Sequence, residues 1–180
     1  MNRAAIHIAP LERVARLFST LPAPAHVIGL LSPEMPHPDL PVPEERRLRL
    51  FFHDVAAATP GFLPPEAEHV RRIIDFARRW RARRGGALLV HCWAGVSRST
   101  AAAFIIQCAL HPDADERALA RRLRRLAPFA TPNARLVALA DDLLGRQGRM
   151  LTAIEEIGRG EEVFLGHPVA WPLADAEELA

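Results

Sequence analysis

An apolar run at Ala87–Val90 passes directly into His91-Cys92-Trp93-Ala94-Gly95-Val96-Ser97, and from Arg98 to Leu110 the chain reads as a helix that His111-Pro112 ends. No other feature limits the fold so tightly. Consecutive apolar residues, bounded by Gly85-Gly86 before and a glycine-containing turn after, read as a strand buried on both faces. A buried strand that runs into a helix belongs to a sheet covered by helical layers, the α/β arrangement.

The rest of the chain agrees with that arrangement. Ala4–Ala9 reads as a short strand. Pro10 then opens a helix through Ser19, with Leu11, Val14, Leu17 and Phe18 on one face. His26–Leu31 reads as a strand and Pro33–Pro43 as a loop. Arg47–Phe52 alternates with period two, so Leu48, Leu50 and Phe52 share a face. After a loop at His53–Pro64, a helix runs from Pro65 to about Arg84 with Val70, Ile73, Ile74 and Ala77 at helical spacing. Asp113 with Glu116 forms a capping box for a helix carrying Leu119, Leu123 and Leu126. Thr131-Pro132 starts another, stopped by Gly145, and Met150, Leu151, Ile154 and Ile157 mark the last. This order predicts an α/β fold with a small, mainly parallel central sheet flanked by helices. It divides the chain into one domain over 1–157 and a C-terminal tail over 158–180.

Composition narrows the function classes. A chain of 180 residues that is 49% hydrophobic builds one sizeable core. Two cysteines, Cys92 and Cys108, do not make a secreted disulfide scaffold, and Cys108 reads as a buried core thiol. The basic residues are all arginine, so any anion site must use Arg, His or backbone N–H groups. A net charge of +2 does not imply nucleic-acid binding, and the arginine pairs from Arg71 to Arg125 read as solvated helix faces. No signal peptide and no membrane-length apolar stretch is apparent, so a cytoplasmic protein without membrane partners is expected. No zinc-ligand set, Walker loop or dinucleotide fingerprint is present, and no cofactor or metal is called for.

The chemistry lies in the turn itself. A loop between a strand and a helix N-terminus points backbone N–H groups into one space, where they and the helix dipole favour an anion. Gly95 permits the tight turn. Arg98, opening the helix, can grip two phosphate oxygens with its planar fork. Cys92 sits at the base of the same cradle, where N–H dipoles and a cation favour the thiolate. A nucleophile and an anion site therefore coincide.

Cys-x5-Arg with His91 before it and Ser99 after it, inside the string LLVHCWAGVSRST, resembles the phosphate loop of the protein-tyrosine and dual-specificity phosphatases, most closely the dual-specificity branch. The resemblance runs from Ala4 to about Leu126. It implies hydrolysis of a phosphorylated protein or another phosphomonoester through a phosphocysteine, without a metal. Cys92 would be the nucleophile, and Arg98 with residues Trp93, Ala94, Gly95, Val96 and Ser97 would bind the phosphate. Ser99 would ease breakdown of the intermediate, and His91 would support the loop. Asp54, just beyond the Arg47–Phe52 strand, takes the position of the general acid, with His53 a weaker substitute. Glu66, Glu68 and Asp75 read as solvated helix residues. The chain has no tyrosine for the aromatic clamp of tyrosine-specific members. Two other readings use the same loop: a rhodanese-like sulfurtransferase, and a non-catalytic phosphate-binding adaptor.

Overall fold

Among the residues that the computed structural model describes (4–23, 25–83 and 86–173), five strands form one sheet. They are β1 (Ala5–Pro10), β2 (His26–Leu31), β3 (Arg47–Phe51), β4 (Ala87–Cys92) and β5 (Val169–Pro172), in the order β3-β2-β4-β1-β5. The first four are mutually parallel where they pair, and β5 lies antiparallel on the β1 edge. β4 is central, with β1 on one side and β2 on the other, and all six of its residues are buried. Its continuous apolar sequence follows from that position, because both faces are covered.

The described residues form six helices: α1 (Val14–Phe18), α2 (Ala67–Ala82), α3 (Arg98–Leu110) and α4 (Glu116–Leu126), which pack on the sheet, and α5 (Ala134–Leu144) and α6 (Arg149–Ile157), which pack on those helices. α3 is buried at every residue from Arg98 to Cys108, because α2, α4, α5 and the sheet all pack against it. Its Ala101-Ala102-Ala103 stretch lets those neighbours approach, and Phe104, Ile105 and Ile106 fill the space beyond. α2 is two-faced. Val70, Ile73, Ile74, Ala77 and Trp80 face the core, while Arg71, Arg72, Arg78 and Arg79 face solvent. Among the described residues no helix is long and apolar enough to cross a membrane.

Four local expectations are corrected. Pro10 closes β1 rather than opening a helix; its extended ψ of 154° is followed by a 3-10 turn at Leu11–Arg13 that leads into α1. The helix expected from Pro65 begins at Ala67, where the Glu66 amide donates to Nδ1 of His69 at 3.0 Å. The cap of α4 is Asp115, which accepts from the Arg117 amide at 3.0 Å. Glu116, expected in a capping box with Asp113, instead turns inward and pairs with the buried Arg146 at 2.9 Å. The predicted C-terminal tail over 158–180 contains a strand and buried residues. β5 pairs with β1, Trp171 has no exposed surface, and the Leu173 amide donates to Ala4 O at 3.0 Å. Residues 174–180 lie outside the described residues.

One arginine of the supposed solvated faces also departs. Arg124 of α4 folds inward and donates to the carbonyls of Pro128, Ala130, Ile157 and Gly158. These carbonyls end helices or line turns and have no helical donor, so one guanidinium satisfies them together. The contact fastens the start of the C-terminal segment to the turn ahead of α5.

Candidate active site

Cys92 is the last residue of β4, at the carboxyl end of the parallel strands where α/β proteins place their sites. The turn that follows is held by its carbonyls. Trp93 O accepts from Leu11 N at 3.0 Å, Ala94 O from Gly166 N at 2.8 Å, and Val96 O from Thr131 N at 3.0 Å. Ser97 O accepts from Ala101 N at 2.9 Å inside α3. A peptide unit is planar, with its C=O and N–H opposed. Four carbonyls bonded to other segments therefore leave the amides of Ala94, Gly95, Ser97 and Arg98 pointing away from those partners. The Gly95 amide donates to Cys92 Sγ at 3.2 Å, in keeping with that orientation.

Gly95 is required on two grounds. Its φ is +71°, a conformation that side chains disfavour. A Cβ there would also lie 2.6 Å from Pro10 N and 2.9 Å from Ala9 C, against the backbone of β1.

Arg98 begins α3 and is 4% exposed. Its Nη1 donates to Phe52 O at 2.7 Å and to Ser32 Oγ at 3.4 Å, so the guanidinium is anchored from the β2–β3 side. Its buried Nε has no hydrogen-bond partner. The nearest carboxylate oxygen, Asp54 Oδ2, is 4.0 Å away, too far for a hydrogen bond. A buried N–H of a permanent cation without an acceptor is a costly arrangement. An anion entering the turn would relieve it.

Ser99, the second residue of α3, has its Oγ 3.3 Å from Cys92 Sγ. Asp54 follows β3 by three residues and reaches the same cleft. Its Oδ1 accepts from Ser97 Oγ at 2.7 Å and from Asn133 Nδ2 at 2.8 Å. His91 is buried behind the turn and carries no charge. Burial first, then the neighbouring His37 and the Arg98 cation, push its pKa down to about 3. Its ring meets that of His37 edge-on at 5.9 Å. Gly29 of β2 makes room for both rings: a Cβ there would lie 2.4 Å from His37 Nδ1 and 2.7 Å from His91 Nε2.

The structure thus brings together Cys92, residues 93–97, Arg98, Ser99 and Asp54. Trp93 projects outward, 42% exposed, with its ring edge-on to Phe164 at 5.5 Å. His53 is occupied within its own loop, where Nδ1 accepts from Leu63 N at 2.8 Å and Nε2 lies 3.3 Å from Glu34. Glu68 sits on the exposed side of α2, paired with Arg71. Cys108 is buried in the second half of α3, where loss of solvent raises its pKa. Sequence reading missed three contributors: Asn133, Ser32 and the 164–168 segment. Asn133 caps α5, its Oδ1 accepting from Leu136 N at 3.0 Å, and an Asn ahead of an apolar helical pattern is the available signal. Nothing local marks the other two.

No protein-family model matches the chain, and no curated protein matches it. Among solved structures, human DUSP28 superposes with a TM-score of 0.56 at 20% identity, over 79% of this chain and 92% of that one. DUSP15 gives a TM-score of 0.58 at 21% identity, over 89% and 99%. The human tyrosine phosphatase-like serine/threonine/tyrosine-interacting protein gives 0.58 at 18%, over 81% and 98%. The fold of the chain is therefore that of the dual-specificity phosphatases.

Proposed function

We propose that this chain is a metal-independent phosphomonoester hydrolase of the dual-specificity type, working through a phosphocysteine on Cys92. The observation that carries the reading is the convergence on one thiol of an anion cradle, an anchored arginine with an unmet N–H, and a carboxyl group. A phosphoryl group in the cradle has its equatorial oxygens against the turn amides and Arg98. These donors are fixed before substrate arrives, and such preorganised stabilisation is usually the largest catalytic term.

In the first step the Cys92 thiolate attacks phosphorus. The S–P bond forms as the ester P–O bond breaks, and the leaving oxygen takes the proton of the Asp54 carboxyl group. Oδ1 of Asp54 already accepts two hydrogen bonds, so Oδ2 is the oxygen that carries this proton. In the second step water attacks phosphorus, its proton passes to Asp54, and the S–P bond breaks to return the thiolate and release phosphate. Ser99 Oγ, beside the sulfur, donates a hydrogen bond to the departing thiolate. Splitting one displacement into two easier ones is the gain of covalent catalysis. His91 stays neutral and acts by packing behind the turn. The substrate is a phosphorylated protein, and a reducing cytoplasm keeps the free Cys92 thiol available.

The test is hydrolysis of para-nitrophenyl phosphate in EDTA by the wild type and Cys92→Ser. Turnover that survives EDTA and is lost in the variant supports the reading. A Cys92→Ser protein with wild-type turnover would end it.

A further inference from the structure

A groove of about 630 Å³ lies beside the phosphate cradle. One wall is the 3-10 turn and α1, with Arg13, Arg16 and Leu17; the other is the 164–168 segment, with Phe164, Leu165 and Pro168. Groove and cradle share structure. Gly166 of the far wall donates to Ala94 O of the phosphate turn, and Leu11, at the head of the near wall, donates to Trp93 O. Gly166 is wedged in place: a Cβ there would sit 2.5 Å from the Phe129 ring and 3.1 Å from Gly95 O. Phe164, on the groove rim, meets Trp93 edge-on, and Trp93 directly follows Cys92.

Resting on the phosphatase reading, we propose that this groove is a substrate subsite for the segment flanking the phosphorylated residue of a protein, selecting an apolar side chain together with a carboxylate. Size agrees, since the volume lies within the range of about 300–1,000 Å³ that ligand pockets occupy. Position agrees as well, since Gly166 of the groove wall donates to Ala94 O in the turn that follows Cys92.

The lining sets the chemistry. Phe164 is 80% exposed, and with Trp93 it forms an apolar rim that a solvated protein has no packing reason to keep. Arg13 is partly neutralised by Glu12 at 2.9 Å, whereas Arg16 has no carboxylate partner among the described residues. Among the described residues the groove thus offers a cation without a carboxylate partner beside an apolar rim, complementary to an acidic-apolar peptide and repellent to a basic one. Two arginines and a glutamate fall short of the clusters of about four to eight basic residues that recruit anionic lipid. A peptide is the occupant the charges fit.

The experiment compares kcat/KM for two phosphotyrosine peptides that differ only at the flanking positions, one with Leu and Glu and one with Ser and Arg. Para-nitrophenyl phosphate serves as a substrate too small to enter the groove. The wild type is expected to favour the Leu/Glu peptide by about tenfold. Phe164→Ala should lower that ratio by about fivefold, and Arg16→Glu should bring it to one or below. Because both peptides use the same cradle, the ratio is insensitive to damage there. A wild-type ratio near one, or a ratio that neither variant changes, overturns the proposal. If the wild type does not turn over para-nitrophenyl phosphate, the phosphatase reading has failed, and fluorescence anisotropy with the same peptides decides the groove. Preference for the Leu/Glu peptide then sustains it, and equal affinity overturns it. Binding to phosphatidylserine vesicles that Arg16→Glu abolishes, with a peptide ratio near one, would assign the groove to lipid and overturn the peptide.

Discussion

Asn133 holds two elements with one amide, so its replacement separates structure from chemistry. Its Oδ1 caps α5, and its Nδ2 is one of two donors that orient Asp54. Asn133→Ala loses both, while Asn133→Ser keeps a capping oxygen whose shorter side chain does not extend to Asp54. A lost cap costs about 1 kcal/mol, so the alanine variant should melt lower and the serine variant close to wild type. The kinetic loss should be common to both. Removing one donor leaves Asp54 on Ser97 alone, and Asp54 is about one-third exposed, which limits the bond to about 1 kcal/mol. That corresponds to a fall in kcat of roughly five- to tenfold when the acid is needed. The assay pairs phenyl phosphate, whose leaving group needs protonation, with para-nitrophenyl phosphate, which needs it far less. The phenyl ester should slow by that factor in both variants and the nitrophenyl ester by less than about threefold. Equal loss on both esters, or an unchanged phenyl phosphate rate in Asn133→Ser, would refute the assignment.

Other outcomes follow from the same geometry. His91 is neutral when folded, with its pKa pushed down to about 3 against an ordinary 6.5, so the unfolded chain binds the extra proton between those values. Stability is full above about pH 6.5 and falls as pH drops toward 3, by about 2 kcal/mol at pH 5. Urea unfolding at both pH values should show the loss in wild type and a smaller one in His91→Gln; an undiminished loss in the variant counts against His91. Gly95→Ala combines positive-φ strain of roughly 1–2 kcal/mol with a Cβ against β1, and should unfold more than about 2 kcal/mol more easily. A variant as stable as wild type would show that the turn has a different shape. Trp171→Ala should cost roughly 3–5 kcal/mol if β5 is core, against less than about 0.5 for a loose tail, and the shift in urea midpoint distinguishes the two.

What could be read from the sequence was what local pattern controls. β2 and α3 were found with their observed limits, because His26–Leu31 is an apolar run beyond a proline-rich stretch and His111-Pro112 ends α3. The phosphate turn was legible because its parts are contiguous. Asp54 could be named, but not the Ser97 and Asn133 bonds that place it, since Asn133 comes from the start of a distant helix. β5 has four residues next to prolines, too few to show a period. Only pairing with β1, at the other end of the chain, makes it a strand. Arg124 looks like its neighbours because a charge run shows which face is polar, not which guanidinium finds four carbonyls to bond. Glu116 was mistaken for a cap because its partner Arg146 lies beyond the reach of any capping pattern.

The Gly166–Ala94 bond also imposes an order in time. Translation delivers Cys92 and Arg98 long before residues 164–168, so a growing chain carries the residues of the turn while one of its hydrogen-bonded neighbours is still missing. Domains assemble from the N-terminal side as they emerge, and contacts between distant segments form late. The Gly166–Ala94 bond is therefore among the contacts that form late, after Cys92 and Arg98 have emerged.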